Sequence, residues 1–188
     1  VFVRTSLKID HPKLNEIIVD FDDLYTHFND LKVNDIFCCL GTTIRTAGSK
    51  AAFKKVDFDY VLSTAQLGLK QGASQFLLVS SLGADLNSAM FYTRIKGEIE
   101  SSLAELNYPC LHILRPSMLM GKRQEFRFGE LIGKAFFSIF SVLFIGPFQQ
   151  FKGIQGRTVA QAMLILATSQ QSGNHIHLSN DLQVLVSE

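Results

Sequence analysis

The chain has 188 residues, with 18 Lys and Arg against 17 Asp and Glu, and its formal net charge of +1 gives no long-range attraction to nucleic acid. Hydrophobic residues make up 47% and charged residues 19%, a mix suited to one globular domain over 1–188 that buries its own core. Cys38, Cys39 and Cys110 are odd in number, and no Cys-x2-Cys or His-x3-His spacing supplies a zinc site, so they read as reduced thiols in a cytoplasmic protein.

The first apolar run, "VFVRT" (1–5), reads as a buried strand ending in Arg4 and Thr5. "NEIIVDF" (15–21) is a second strand, ending in Asp20 and Phe21, and "DIFCCLG" (35–41) a third. "KAAFKKVDFDYVLSTAQLGLKQG" then keeps Phe53, Val56, Tyr60, Leu62 and Ala65 at roughly helical spacing, and Gly72 suits a C-cap. "QFLLVSS" (75–81) is a fourth strand. "YTRIKGEIESSLAEL" is a helix with Ile95, Ile99, Leu103 and Leu106 on one stripe, and "CLHILRP" (110–116) a fifth strand. "HIHLS" (175–179) is a further strand, after a stretch, 126–151, that holds eight of the sixteen phenylalanines. There Phe136, Phe140 and Phe144 fall at i, i+4 and i+8, which suits core packing, a pocket wall, a dimer face or a membrane-surface contact. The apolar run at 135–146 is too short to span a bilayer. Alternating strands and helices predict an α/β fold with a mostly parallel, doubly wound sheet.

Ligands of such sheets sit at the carboxyl ends of the strands. Arg4, ending a strand where an acidic residue would hold the ribose hydroxyls of NAD, points instead to the 2′-phosphate of NADP. Asp20 can accept from the adenine amino group, and Phe21 can cover the ring. Gly41 lets backbone approach a cofactor closely, with the Thr42 hydroxyl beside it. Ser80 follows the fourth strand, and Arg115, Pro116 and Ser117 end the fifth. Tyr92 and Lys96 lie one helical turn apart on one face. A free phenol, with a pKa of about 10, is a poor acid–base group at neutral pH, and a nearby ammonium favours its ionised form.

With these residues in order, "FCCLGTT", "LLVSSLGAD", "FYTRIKGEIE" and "LRPSMLMGKRQE" resemble the short-chain dehydrogenase/reductase superfamily. Within it the chain is similar to the atypical, Tat-interacting oxidoreductase-like group. The resemblance covers almost the whole chain. It implies a Rossmann-type fold with Ser80, Tyr92 and Lys96 as the catalytic set, and Leu40, Gly41, Thr42, Tyr92, Lys96, Arg115, Pro116 and Ser117 as cofactor contacts. Two features depart from the pattern. The helix at 52–70 has no Asn for a proton relay, so Asp57 or water would stand in, and the Gly-rich phosphate loop that follows the first strand is not found. The chain is therefore expected to begin at the fold's second strand, with a slot between "VFVRT" and "DIFCCLG" that a preceding segment of a longer polypeptide would fill.

The function expected on this basis is an NADP-dependent oxidoreductase, working as a monomer or homodimer on a small carbonyl or alcohol compound. An NADPH-binding regulatory protein is a second reading. A sugar-nucleotide epimerase or dehydratase is a third, set against only about 70 residues after "LRPS" for a substrate domain.

Overall fold

The first expected strand is confined to β1 (Phe2–Val3), which pairs in parallel with β2 (Ile17–Ile18), Phe2 opposite Ile17. The computed structural model describes residues 1–28, 31–120 and 153–187. After β2, a 3-10 turn at Phe21–Asp23 leads into α1 (Leu24–Phe28), and β3 (Asp35–Cys38) follows. The Thr43 hydroxyl accepts from the N–H of Thr46 to open α2 (Ile44–Ala47), and the Ser49 hydroxyl accepts from Ala52 to open α3 (Lys50–Lys54). Both are N-cap bonds to otherwise orphaned donors. From α3 the helix continues through a π turn at Lys55–Asp59 into α4 (Tyr60–Lys70). That wider turn is not visible in the apolar spacing, and such turns often occur at functional sites.

Next come β4 (Gln75–Val79), α5 (Phe91–Glu105), β5 (Cys110–Arg115) and the short β6 (Leu119–Met120). Then β7 (Ile154–Gln155), which pairs with β6, leads to α6 (Gly156–Thr168), β8 (Gly173–Leu178) and α7 (Ser179–Ser187).

The main sheet has the order β3-β4-β5-β8, with every pair parallel. Its register sets Phe76 opposite Ile36 and Leu111, and Leu78 opposite Cys38 and Ile113. Phe76, Leu78, Leu111 and Ile113 pack with Val61 and Ala65 of α4 and Ile99 and Leu103 of α5. Leu77 and Leu114, on the opposite face, pack with Val159, Ala162 and Met163 of α6 and Leu182 of α7. Helices cover both faces, which is why β4 and β5 are nearly continuous apolar sequence rather than alternating. This is the expected doubly wound α/β fold.

The β1–β2 ladder has its own small core of Val19, Phe21, Leu24 and Phe28, leaning on Tyr60 and Leu67 of α4. As expected, it shares no strand pairing with β3. Phe37 of β3 is 43% exposed. The phenylalanine-rich stretch, with Phe136, Phe140 and Phe144 and the run at 135–146, lies outside the described residues. Among those described, no helix is long and apolar enough to cross a membrane.

Candidate active site

Helix α5 carries the centre of the site. Its register puts Tyr92, Lys96 and Glu100 at i, i+4 and i+8, one above another on one face. Lys96 and Glu100 are buried, and Tyr92 is half-buried with its ring 5.5 Å from that of the buried Phe53. Gly97 lets the loop after β4 lie directly on this helix. A Cβ there would come within 2.3 Å of the Leu86 nitrogen and 2.4 Å of the Asp85 carbonyl carbon.

The Lys96 ammonium meets Oδ1 of Asp57, in the π turn, at 2.7 Å. The other carboxylate oxygen, Oδ2, accepts from the Thr42 N–H at 2.8 Å. Buried acids are tolerated where their charge is answered, and here Oδ1 faces the ammonium while Oδ2 takes the hydrogen bond. Gly41 closes the same corner. A Cβ on it would lie 3.3 Å from Asp57 Oδ1 and 3.8 Å from Lys96 Nζ.

One turn further along α5, Glu100 accepts from the Ser80 hydroxyl. It also accepts from Arg115 Nε, at 3.1 and 3.2 Å to its two oxygens, while Arg115 Nη2 holds Oε2. Ser80 is therefore anchored at Glu100, two turns along the helix from Tyr92, a rise of about 12 Å. Its neighbour Ser81 is also buried, and the Ser81 hydroxyl lies 3.3 Å from the Leu82 carbonyl. The Pro116 carbonyl accepts from the Leu82 N–H at 3.0 Å, and Ser117 shares a 3.0 Å hydroxyl contact with Ser179 at the start of α7. The end of β5 thus braces the loop after β4.

A cleft of about 140 Å³ opens beside Gly41, lined by Arg4, Phe21, Cys39, Leu40, Gly41, Val56 and Tyr60. Arg4, Phe21, Leu40 and Gly41 are brought together there from three strand ends. Thr5 is exposed and is not among the lining residues. Asp20 caps the 3-10 turn, its Oδ1 accepting from Asp22 N–H at 2.9 Å, and it does not line the cleft. Cys39, Val56 and Tyr60 are the lining residues that sequence reasoning missed. Tyr60 stands one helical turn after Val56, and its ring is 5.6 Å from that of Phe21. The Tyr60 hydroxyl donates to Asp22 at 2.8 Å, and Lys55 pairs with the same carboxylate at 2.7 Å. That pairing holds the Asp22 carboxyl below the usual range, first through Lys55 and then through Tyr60. An aromatic pair, one guanidinium and a glycine open to close backbone approach fit the adenosine half of a dinucleotide.

No protein-family model matches the chain. Protein HTATIP2 of Rattus norvegicus is 38% identical to it over 168 residues, which cover 89% of this chain and 67% of that protein. The mitochondrial protein FMP52 of Debaryomyces hansenii is 39% identical over 97 residues, covering 52% of this chain and 43% of that protein. Among solved structures, MoeE5 in complex with UDP-glucose and NAD superposes with a TM-score of 0.63 at 12% identity, over 99% of this chain and 72% of that one. A UDP-N-acetylglucosamine 4-epimerase from Methanobrevibacter ruminantium M1 superposes with a TM-score of 0.60 at 16% identity, over 94% of this chain and 66% of that one.

The fold is that of a Rossmann-type, doubly wound α/β protein. More narrowly, the chain belongs to the atypical short-chain dehydrogenase/reductase family that includes HTATIP2. It spans about two thirds of the rat protein's length and less than half of the fungal one's.

The expected preference for NADP is corrected. The MoeE5 complexes hold NAD, with UDP-glucose in one and UDP-glucuronic acid in the other. The physical reason is local. Arg4 is exposed, and Lys55, the cation beside Tyr60, is paired with Asp22, so Arg4 is the one cation among the described residues lining the cleft.

Proposed function

We propose that the protein is a NAD-dependent oxidoreductase acting at an alcohol or carbonyl carbon, and that its substrate is a nucleotide-linked sugar. The observation that carries this reading is the buried Lys96, one turn from Tyr92 and beside Gly41 at the edge of an aromatic cleft. Arg4, Phe21 and Tyr60 would hold the adenosine end of the dinucleotide, and Gly41 and Lys96 would stand nearer the nicotinamide. When bound, NAD supplies the hydride acceptor or donor. Tyr92 takes the hydroxyl proton as an alcohol is oxidised and returns it to the oxygen in reverse. Lys96 provides a fixed positive charge one turn away. Ser80 acts through Glu100 to hold α5 against the ends of β4 and β5, and Ser81, buried beside it, is a second candidate for a hydrogen bond to the reacting oxygen.

The choice of a sugar nucleotide over a simple carbonyl compound rests on the ligands named for the structural neighbours, among them UDP-glucose and UDP-glucuronic acid. The short stretch after β5 had weighed against this class, but the fold likeness extends over nearly all of the chain.

The test is NAD binding by the intact protein, followed by turnover with UDP-sugars and with simple carbonyl compounds. Cys39 gives a readout of binding that does not depend on activity. It is exposed and lines the cleft, whereas Cys38 and Cys110 are buried and burial pushes the Cys38 thiol up to about 12. NAD is expected to slow alkylation at Cys39. Tyr92→Phe is expected to reduce turnover by about 10²- to 10⁴-fold while NAD still protects Cys39. Protection without turnover on any of these substrates would favour a regulatory dinucleotide-binding protein.

A further inference from the structure

Asp57 is 1% exposed in its side chain and Lys96 5%, which sets their pair apart from the other described ion pairs. A helix that continued as α3 began would follow the α-helical register through residues 55–59. The π turn at Lys55–Asp59 interrupts that register, and the carboxylate it carries meets both the lysine of α5 and the backbone after β3. Three elements, the π turn, α5 and the Gly41–Thr42 turn, converge on one carboxyl group.

We propose that Asp57 is the positioning residue for Lys96. Its carboxylate ties the ammonium to the turn after β3 and so fixes the lysine beside the Gly41 edge of the cleft. This rests on the reading of that cleft as the dinucleotide site. The linkage has a direct physical basis. A long, flexible amine buried without a partner would leave its low-dielectric surroundings for solvent, and the Asp57 Oδ1 contact at 2.7 Å opposes that. The bond from Thr42 N–H makes the anchor part of the strand end that receives the cofactor, so movement of that turn and movement of Lys96 are joined. Gly41 serves the same corner, since a side chain there would crowd the Asp57 carboxylate at 3.3 Å.

The test uses the intact protein with NAD as the probe, together with acetylation of Lys96 located by mass spectrometry. Asp57→Asn is the informative change, because its amide oxygen can still accept from Thr42 while the charge facing Lys96 is lost. The variant is expected to bind NAD about tenfold or more weakly, and to acetylate several-fold faster at Lys96. Asp57→Glu is expected to restore part of both. In a Lys96→Met background, Asp57→Asn is expected to weaken NAD binding no further, because its effect runs through the lysine. Should Asp57→Asn alone not fold, comparison of Asp57→Asn/Lys96→Met with Lys96→Met decides the matter, since the paired change removes both buried charges. A loss of NAD affinity as large in the Lys96→Met background as in the parent would overturn the proposal. So would parental NAD affinity and parental acetylation in Asp57→Asn. If the parent protein itself does not bind NAD, the proposed function fails, while the acetylation arm still reports whether Asp57 anchors the lysine.

Discussion

Two ion pairs in this protein have the same separation and different surroundings. Lys55 meets Asp22 at 2.7 Å with both side chains about half exposed, at 50% and 53%. Lys96 meets Asp57 at 2.7 Å with side chains 5% and 1% exposed. The first joins the β1–β2 region to the π turn in water, where screening and side-chain entropy leave little net stabilisation. The second is enclosed between α5 and the turn after β3, where neither charge can lose its partner without strong destabilisation. Equal distance therefore says little about what a pair does. Burial decides it, and of these two pairs the one on α5 is enclosed while the one beside the N-terminal ladder is open to water.

The comparison is tested most severely at Glu100, the other buried acid on the α5 face. Glu100→Ala strips Arg115 and Ser80 of their shared partner and is expected to destabilise the fold by about 3 kcal/mol, the low end of the range for a fully enclosed pair because Arg115 remains partly exposed. Chemical denaturation measures it. A loss no larger than that of an ordinary surface substitution would break the contrast between the two regions.

A second test is acid. His112 of β5 is fully buried, with Nδ1 3.0 Å from His177 and Nε2 3.2 Å from Cys110. Burial, followed by the neighbouring His177 and His175, pushes it down to about 4 from 6.5. Burial also lowers His177. The unfolded chain therefore takes up protons that the folded chain refuses. Stability from His112 is complete above about pH 6.5 and falls as pH drops toward about 4, by about 3 kcal/mol in all at 1.36 kcal/mol per pH unit. His112→Gln should flatten that part of the stability profile, and an unchanged slope between pH 6.5 and 4 would remove His112 as its source.

The smallest effect is expected at the exposed pair. Asp22→Asn should leave the melting temperature close to that of the parent, and added salt should move parent and variant together. A large drop would mean that the exposed pair supports the N-terminal ladder more than its solvent exposure allows.

The fold class was legible because its evidence is local and repeated. The apolar runs at β4 and β5, the helical stripe of α5 and the residues at the strand ends state the parallel sheet without reference to one another. Tyr92 and Lys96 were legible for the same reason, since a spacing of four on a helix is a one-dimensional signal. Ser80 was legible as a strand-end serine, but its attachment to Glu100 was not. The meeting of a β4 end with the third turn of α5 depends on how the helix lies across the sheet. Arg4 was legible as a cation at a strand end, but the pairing of the nearby cation beside Tyr60 was not. That cation is Lys55, distant in sequence and held by Asp22.

What the sequence by itself determined is therefore the strands of the main sheet, their parallel order, the helices between them and the α5 face, whereas β6, β7, α6 and α7 were not read from it. The former follow from side-chain periodicity along the chain. Tertiary structure alone decided which charges are enclosed: Asp57 against Lys96, Glu100 against Arg115, and Asp22 left in water with Lys55. The cost of a charge depends on the solvent removed by elements packed from elsewhere in the chain, a quantity with no counterpart in residue spacing.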